Sequence, residues 1–223
     1  TQQETLFPYT TLFRSHIPWI KPAQRIYEDL LPAEEEKFKF YEKGKAALES
    51  YGYTDIGMDH FALPTDRMHQ AMENGTLHRN FMGYTTTSTK LQIGLGASSI
   101  SDAWTAFVQN EKKVEDYMDA VKQEKFPFYR GHILNAEDQY IRQHILNIMC
   151  QFETNFRADQ APRFWSKVKS RLHPMEEDGL VKVRDGSVTV LPAGRPFVRN
   201  ICMALDARMW RNKPNTQIFS QTV

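Results

Sequence analysis

Three stretches of this sequence hold residue types that do chemistry more readily than packing. They are Gly57-Met58-Asp59-His60-Phe61-Ala62, then His78-Arg79-Asn80-Phe81-Met82-Gly83-Tyr84-Thr85-Thr86, then Gly94-Leu95-Gly96-Ala97-Ser98-Ser99-Ile100-Ser101. Small, polar and aromatic residues strung together in this way build sites on loops. Asp59 and His60 can act as an acid–base pair. Separate structural hydrogen bonding is the plainer use, since adjacent residues on a strand point to opposite faces. Arg79 offers a guanidinium, which grips carboxylates through two parallel hydrogen bonds; a surface or intramolecular salt bridge is an equal use. Gly94-x-Gly96 begins a phosphate loop but lacks the third glycine of G-x-G-x-x-G, which argues against nucleotide-phosphate binding. Arg195 and Arg199 lie one helical turn apart; they could meet carboxylates but read more simply as a solvated helix face.

The two cysteines, Cys150 and Cys202, have no C-x-x-C spacing and offer no metal-ligand pattern. Each sits in an apolar helical run, 146–152 and 198–205, so both are expected to be buried thiols kept reduced in a cytoplasmic setting. No metal ligands are assigned. A net charge of +1 argues against binding nucleic acid through bulk electrostatics. No apolar run reaches the roughly 18 residues of a membrane span. Of the 223 residues 41% are hydrophobic and 12% aromatic, enough for a packed core.

The elements that must position these residues follow from period and punctuation. A helix is expected from Pro32 to Ser50, with Glu34, Glu35 and Glu36 in its first turn and Gly52 beyond its end. Residues 55–58 read as a strand that delivers Asp59-His60-Phe61. A helix starts at Thr65-Asp66 and stops at Asn74-Gly75. Residues 91–95 read as a second strand. That strand–helix–strand order is the rhythm of a parallel sheet, in which residues after the strands build the site. From Asn110 helices dominate: 114–123, 136–152 with Asn135 and Asp138 as a capping pair, and 164–177. Asp185-Gly186 between two alternating runs signals a hairpin. A last helix is expected over 193–205. Helices followed by a hairpin look winged-helix-like.

The Gly-Met-Asp-His-Phe and Arg-Asn-Phe-Met-Gly-Tyr strings, with Gly96-Ala97-Ser98-Ser99-Ile100, resemble the oxygen-independent coproporphyrinogen III dehydrogenases (oxidases), radical S-adenosylmethionine (SAM) enzymes of haem synthesis. The resemblance runs over residues 16–223. It implies an α/β fold: the tail of a partial (β/α) radical SAM barrel over 16–109, then a mainly helical, winged-helix-like C-terminal domain over 110–223. It also implies oxidative decarboxylation of two propionates of coproporphyrinogen III to vinyls, giving protoporphyrinogen IX through a 5′-deoxyadenosyl radical. The implied cofactors are a [4Fe-4S] cluster and SAM. Coproporphyrinogen III, an electron donor and an electron acceptor are the implied partners, with no nucleic acid and no membrane, and the full-length enzyme is expected to be a monomer. Ile100 corresponds to an isoleucine that contacts SAM, and Phe81 and Met82 to a pair lining a second SAM site. Some members carry glutamine at the place of Met82, whose thioether supplies no amide donor. Arg79 and His60 are the substrate-binding candidates. The cluster requires cysteines in a C-x3-C-x2-C loop, and no such triplet occurs here, so this chain alone is expected to be inactive.

Residues 1–15 stand apart. Thr5-Leu6-Phe7-Pro8-Tyr9-Thr10-Thr11-Leu12-Phe13-Arg14-Ser15 reads as a translated sequencing-library adapter, a scar outside the fold. The chain is therefore expected to be the C-terminal part of a longer protein, poorly soluble as 16–109 alone and better behaved as 110–223. Two other functions fit less well. A haem-trafficking relative shares the barrel but differs at the two motifs. A winged-helix DNA binder would use Lys167, Lys169 and Arg171, but Glu176, Glu177 and Asp178 follow at once.

Overall fold

The computed structural model of the chain describes residues 25–26, 31–156, 162–184 and 186–211. Residues 1–15 and the strand end expected at His16-Ile17-Pro18-Trp19 lie outside these. The chain divides into two compact units, one of residues 1–51 with 208–223 and the other of residues 52–207.

In the smaller unit, α1 (Glu34–Ser50) forms where the sequence places it. The Glu36 carboxylate accepts the Ala33 N–H at 3.1 Å and so satisfies one of the donors that every helix start leaves open. Lys45 and Glu49 lie 4.0 Å apart one turn along the helix.

The larger unit opens with a hairpin, not with a strand that feeds a loop. β1 (Thr54–Gly57) pairs antiparallel with β2 (His60–Ala62). Met58 and Asp59 form the turn, both left-handed, at φ 45° and 63°. That is the conformation a two-residue hairpin turn needs to match strand twist. Next comes α2 (Arg67–Glu73), whose N-cap Asp66 accepts the Met68 N–H at 2.7 Å. The string 78–86 is a second hairpin, β3 (His78–Asn80) with β4 (Gly83–Thr85). A three-stranded sheet follows in the order β5 (Ile100–Asp102), β6 (Ala106–Asn110), β7 (Phe128–Ile133), with α3 (Val114–Lys122) between the last two.

All these pairings are antiparallel. The parallel rhythm read from residues 55–95 is thus replaced by local hairpins, because tight turns at 58–59 and 81–82 return each strand onto itself. Residues 91–95 form no strand. Gln92 makes a single bridge to Asp102, while Leu91, Ile93 and Leu95 face outward. The β5–β6–β7 sheet runs through residues 103–110, where the sequence changes character.

The rest of the unit is α4 (Ala136–Gln151), β8 (Glu153–Asn155), α5 (Pro162–Glu177), the hairpin β9 (Val181–Arg184) and β10 (Ser187–Val190), a 3-10 turn (Pro192–Phe197) and α6 (Val198–Leu205). A short α7 (Ala207–Arg211) follows. The Asn135 side chain accepts the Asp138 N–H at 2.9 Å and the Asp138 carboxylate accepts the Asn135 N–H at 3.0 Å, a complete capping box. β10 is central in a sheet of order β8-β10-β9, so helices and a hairpin do join here.

Two apolar clusters fill the unit. One gathers Ile148, Val168, Leu172, Val181, Val188, Val198, Ile201 and Leu205 from α4, α5, α6 and the three-stranded sheet. The other gathers Ile56, Ala62, Ala71, Leu77, Tyr84 and Cys150 from the two hairpins, α2 and α4. Met58 and Met149 pack against both. Each fully buried aliphatic side chain contributes roughly 1.5–3 kcal/mol. The mixed helix-and-strand fold contains no closed barrel among the described residues.

Candidate functional site

The two motifs converge on one side chain that neither reading singled out. Tyr84 on β4 is 8% exposed, and its hydroxyl donates to the Met149 carbonyl on α4 at 2.6 Å. The His60 ring meets Tyr84 edge-on, with centroids 5.2 Å apart, and the Arg79 guanidinium lies over the same ring at 4.7 Å. The signal that could have exposed this hub is the periodicity of a strand after a turn: Tyr84 is the residue paired with Arg79 across the hairpin. Burial pushes the Tyr84 phenol upward, well out of the physiological range, which leaves it a neutral donor.

His60 places Nδ1 2.8 Å from the Met58 carbonyl. A carbonyl only accepts, so Nδ1 carries the proton and a neutral ring keeps Nε2 as an acceptor. Asp59 is exposed at the hairpin turn. His60 and Asp59 are therefore not shown as a hydrogen-bonded pair; His60 is occupied by its own turn. Arg79 Nη1 is buried and has no hydrogen-bond partner among the described groups. A buried guanidinium nitrogen of this kind leaves a donor open, and a ligand carboxylate suits it.

Phe81 and Met82 sit at the tip of the β3–β4 hairpin, 55% and 87% exposed. The two central residues of the turn are neither glycine nor a tight-turn pair. Asn80 supplies what is missing: its side-chain oxygen accepts from Met82 N at 2.8 Å and from Gly83 N at 3.2 Å. Phe81 stands edge-on to Phe107 of β6 with centroids 5.0 Å apart.

Ile100 begins β5 opposite Gln109. The loop before it is pinned by the buried Asn110, whose amide donates to the Gly94 and Gly96 carbonyls at 3.1 and 3.0 Å. Gly94 has to be glycine, since a Cβ there would lie 2.8 Å from the Ile100 carbonyl oxygen. Phe81 thus packs on β6, the strand that pairs with Ile100 on β5, while His60 and Arg79 gather around Tyr84.

A charged cluster adjoins Phe107. Arg142 of α4 donates to both Asp102 carboxylate oxygens, at 2.6 and 3.1 Å, and to the Trp104 carbonyl at 2.9 Å. Its guanidinium stacks on the Trp104 ring at 4.4 Å and on Phe107 at 4.8 Å. Burial lowers the His78 pKa, as does Arg142, against an opposing pull from Asp102. This cluster was not legible in the sequence, because forty residues separate its partners.

Other candidates fall elsewhere. Arg195 does not lie on a solvated face: it belongs to the 3-10 turn, stacks on Phe152 at 4.4 Å and has a buried Nε, whereas Arg199 is exposed. Arg171 of α5 donates to the Ala204 carbonyl at 3.0 Å, which turns it inward, while Lys167 and Lys169 are exposed. Cys150 and Cys202 are buried, and burial pushes their thiols up to about 11 and about 12. A cluster ligand must be a thiolate. These two do not fit an iron–sulfur cluster, and among the described residues no three His, Cys, Asp or Glu side chains gather as a metal site. Nor, among them, is any helix long and apolar enough to cross a membrane.

No family model matches the chain. Individual proteins do. The chain is 36% identical over 220 residues to the oxygen-independent coproporphyrinogen III oxidase of Escherichia coli, covering 94% of this chain and 47% of that one. The same-named protein of Synechocystis is 34% identical over 220 residues, with 94% and 47% covered. That of Thermostichus vulcanus is 35% identical over 218 residues, with 94% and 66% covered. The solved structure of Escherichia coli coproporphyrinogen III oxidase (HemN), a radical SAM enzyme, superposes with a TM-score of 0.79 at 34% identity, over 87% of this chain and 46% of that one. The chain thus spans about half the length of the Escherichia coli and Synechocystis relatives. On this likeness of sequence and fold, the chain belongs to the family of oxygen-independent coproporphyrinogen III oxidases.

Proposed function

We propose that this chain forms part of an oxidase that converts coproporphyrinogen III to protoporphyrinogen IX, and that residues 78–102 supply one wall of its SAM-binding region. The observation that carries the reading is the open nitrogen of Arg79, buried beside an exposed aromatic and thioether turn. Both SAM and a propionate-bearing substrate present a carboxylate, and a desolvated guanidinium recognises one through two donors. Phe81 and Met82 offer apolar surface to an adenosyl group, and Ile100 offers a contact from β5. His60 is held by Nδ1 against the Met58 carbonyl and stands edge-on to Tyr84. SAM, when bound to an iron–sulfur cluster, supplies the oxidising radical chemistry; the residues here do not hold that cluster. In this reading the working protein is cytoplasmic, monomeric, and served by an electron donor and an electron acceptor.

The test is a chimera. The matching segment of the Escherichia coli enzyme is replaced by residues 16–223 of this chain, and anaerobic carbon dioxide release from coproporphyrinogen III is measured. Turnover within an order of magnitude of the parent, lost on Arg79→Met, is the expected result. A soluble, cluster-loaded chimera with no turnover would overturn the reading.

A further inference from the structure

Phe81 and Met82 sit on one segment and Ile100 on another, and something must fix one segment against the other. The hydrogen bonds trace a single route between them. Asn80, which holds the Phe81-Met82 turn, donates from Nδ2 to the Gln92 side-chain oxygen at 3.1 Å. Gln92 exchanges two backbone hydrogen bonds with Asp102, at 2.7 and 2.9 Å. Asp102 lies two residues after Ile100 on β5, on the same strand face. The Asp102 carboxylate is then gripped by both terminal nitrogens of Arg142. From the other side, Phe81 leans on Phe107, and Phe107 lies against the Arg142 guanidinium. Both routes end on one side chain of α4.

We infer that Arg142 is a positioning residue that sets the spacing between the Phe81-Met82 turn and Ile100, and hence the geometry of the proposed SAM-binding wall. The inference rests on the reading above for its ligand, but not for its geometry. Three features single out arginine. Its fork holds both Asp102 oxygens, one of its nitrogens also reaches the Trp104 carbonyl, and its flat face stacks between two rings. Lysine keeps the charge but forms neither the fork nor the stack. The Trp104 backbone shows the demand on this corner: it is left-handed, at φ 61°, a conformation that a bulky residue adopts only when its surroundings hold it.

The experiment uses the whole chain, labelled with 13C at methionine and isoleucine methyls, and SAM as the probe. In the absence of SAM, Arg142→Lys and Asp102→Asn are each expected to move both the Met82 and the Ile100 methyl signals, and the double variant to move them no further than the larger single change. Gln92→Ala cuts only the branch toward the turn, so it is expected to move Met82 and leave Ile100 in place. SAM affinity should fall about tenfold in Arg142→Lys, as for other supporting residues behind a binding site. If Arg142→Lys melts cooperatively with both methyls at their wild-type positions, or if the two single changes add, the inference is overturned. If Arg142→Lys fails to fold, the Gln92→Ala pattern decides: movement of Met82 alone supports the route, and movement of both or neither refutes it. If the wild-type chain shows no SAM-induced shift, the SAM reading falls, and the positioning role is still judged by the signals recorded without ligand.

Discussion

Gly57 has room for a hydrogen and nothing larger. A Cβ there would stand 2.7 Å from the Tyr84 hydroxyl and 3.2 Å from the Phe152 ring, and the residue sits at φ +119°. Gly57→Ala should therefore destabilise the chain by on the order of 3 kcal/mol, overpacking and backbone strain together, as a drop in the urea midpoint. It should also displace the hub on which His60 and Arg79 converge. Arg79→Met asks a different question, since the native guanidinium already carries an open, desolvated nitrogen. Removing it should leave the melting temperature within a few degrees of wild type, because the group has little to lose on leaving. SAM binding, read by calorimetry, should weaken at least tenfold if a carboxylate is held there. The thiols of Cys150 and Cys202 should react with a disulfide reagent only in denaturant, since burial both shields them and keeps them protonated.

At the level of elements, turn chemistry explains which parts were legible. The Asn135–Asp138 box and the Asp185-Gly186 pair carry their signals in residue type; the box forms, and β9 pairs antiparallel with β10 on either side of that pair, whose Asp185 lies outside the described residues. Asn135→Ala should cost about 1 kcal/mol, measured as a shift in thermal midpoint. The hairpins that bear the site carry weaker signals. Met58-Asp59 adopts left-handed angles that Asp tolerates but Met does not advertise, and in the Phe81-Met82 turn the Asn80 side chain accepts from the Met82 and Gly83 N–H groups. Residues 91–95 show the converse. Their alternating apolar pattern suggests a strand, but the Asn110 amide draws the Gly94 and Gly96 carbonyls into a loop, so the side chains stay exposed. β6 and β7 went unread because the helical period of α3 lies between them and that of α4 follows.

Across the molecule, stability should depend on pH through histidine. His144 is enclosed by Tyr140 and Phe156, its Nδ1 lies 2.7 Å from the Thr154 hydroxyl, and burial lowers its pKa to about 4. The folded state therefore favours the neutral ring, whereas the unfolded chain takes up a proton near pH 6.5. The contribution is complete above pH 6.5, declines as pH falls from 6.5 to about 4, and is flat below. His78, lowered in the same direction, adds to the trend. Urea midpoints measured from pH 7.5 down to 4 should fall, and should fall less in His144→Gln. The spacing of contacts along the chain has a kinetic consequence. The β1–β2, β3–β4 and β9–β10 hairpins close over two-residue turns, and such pieces form within microseconds. The Arg142–Asp102 bridge must close a loop of forty residues, a larger entropic demand that is met only after the local pieces exist. The corner that joins the two halves of the candidate site is thus expected to lock last during folding. Asp102→Asn should accelerate unfolding while leaving the refolding rate nearly untouched, a φ-value close to zero in stopped-flow chevrons.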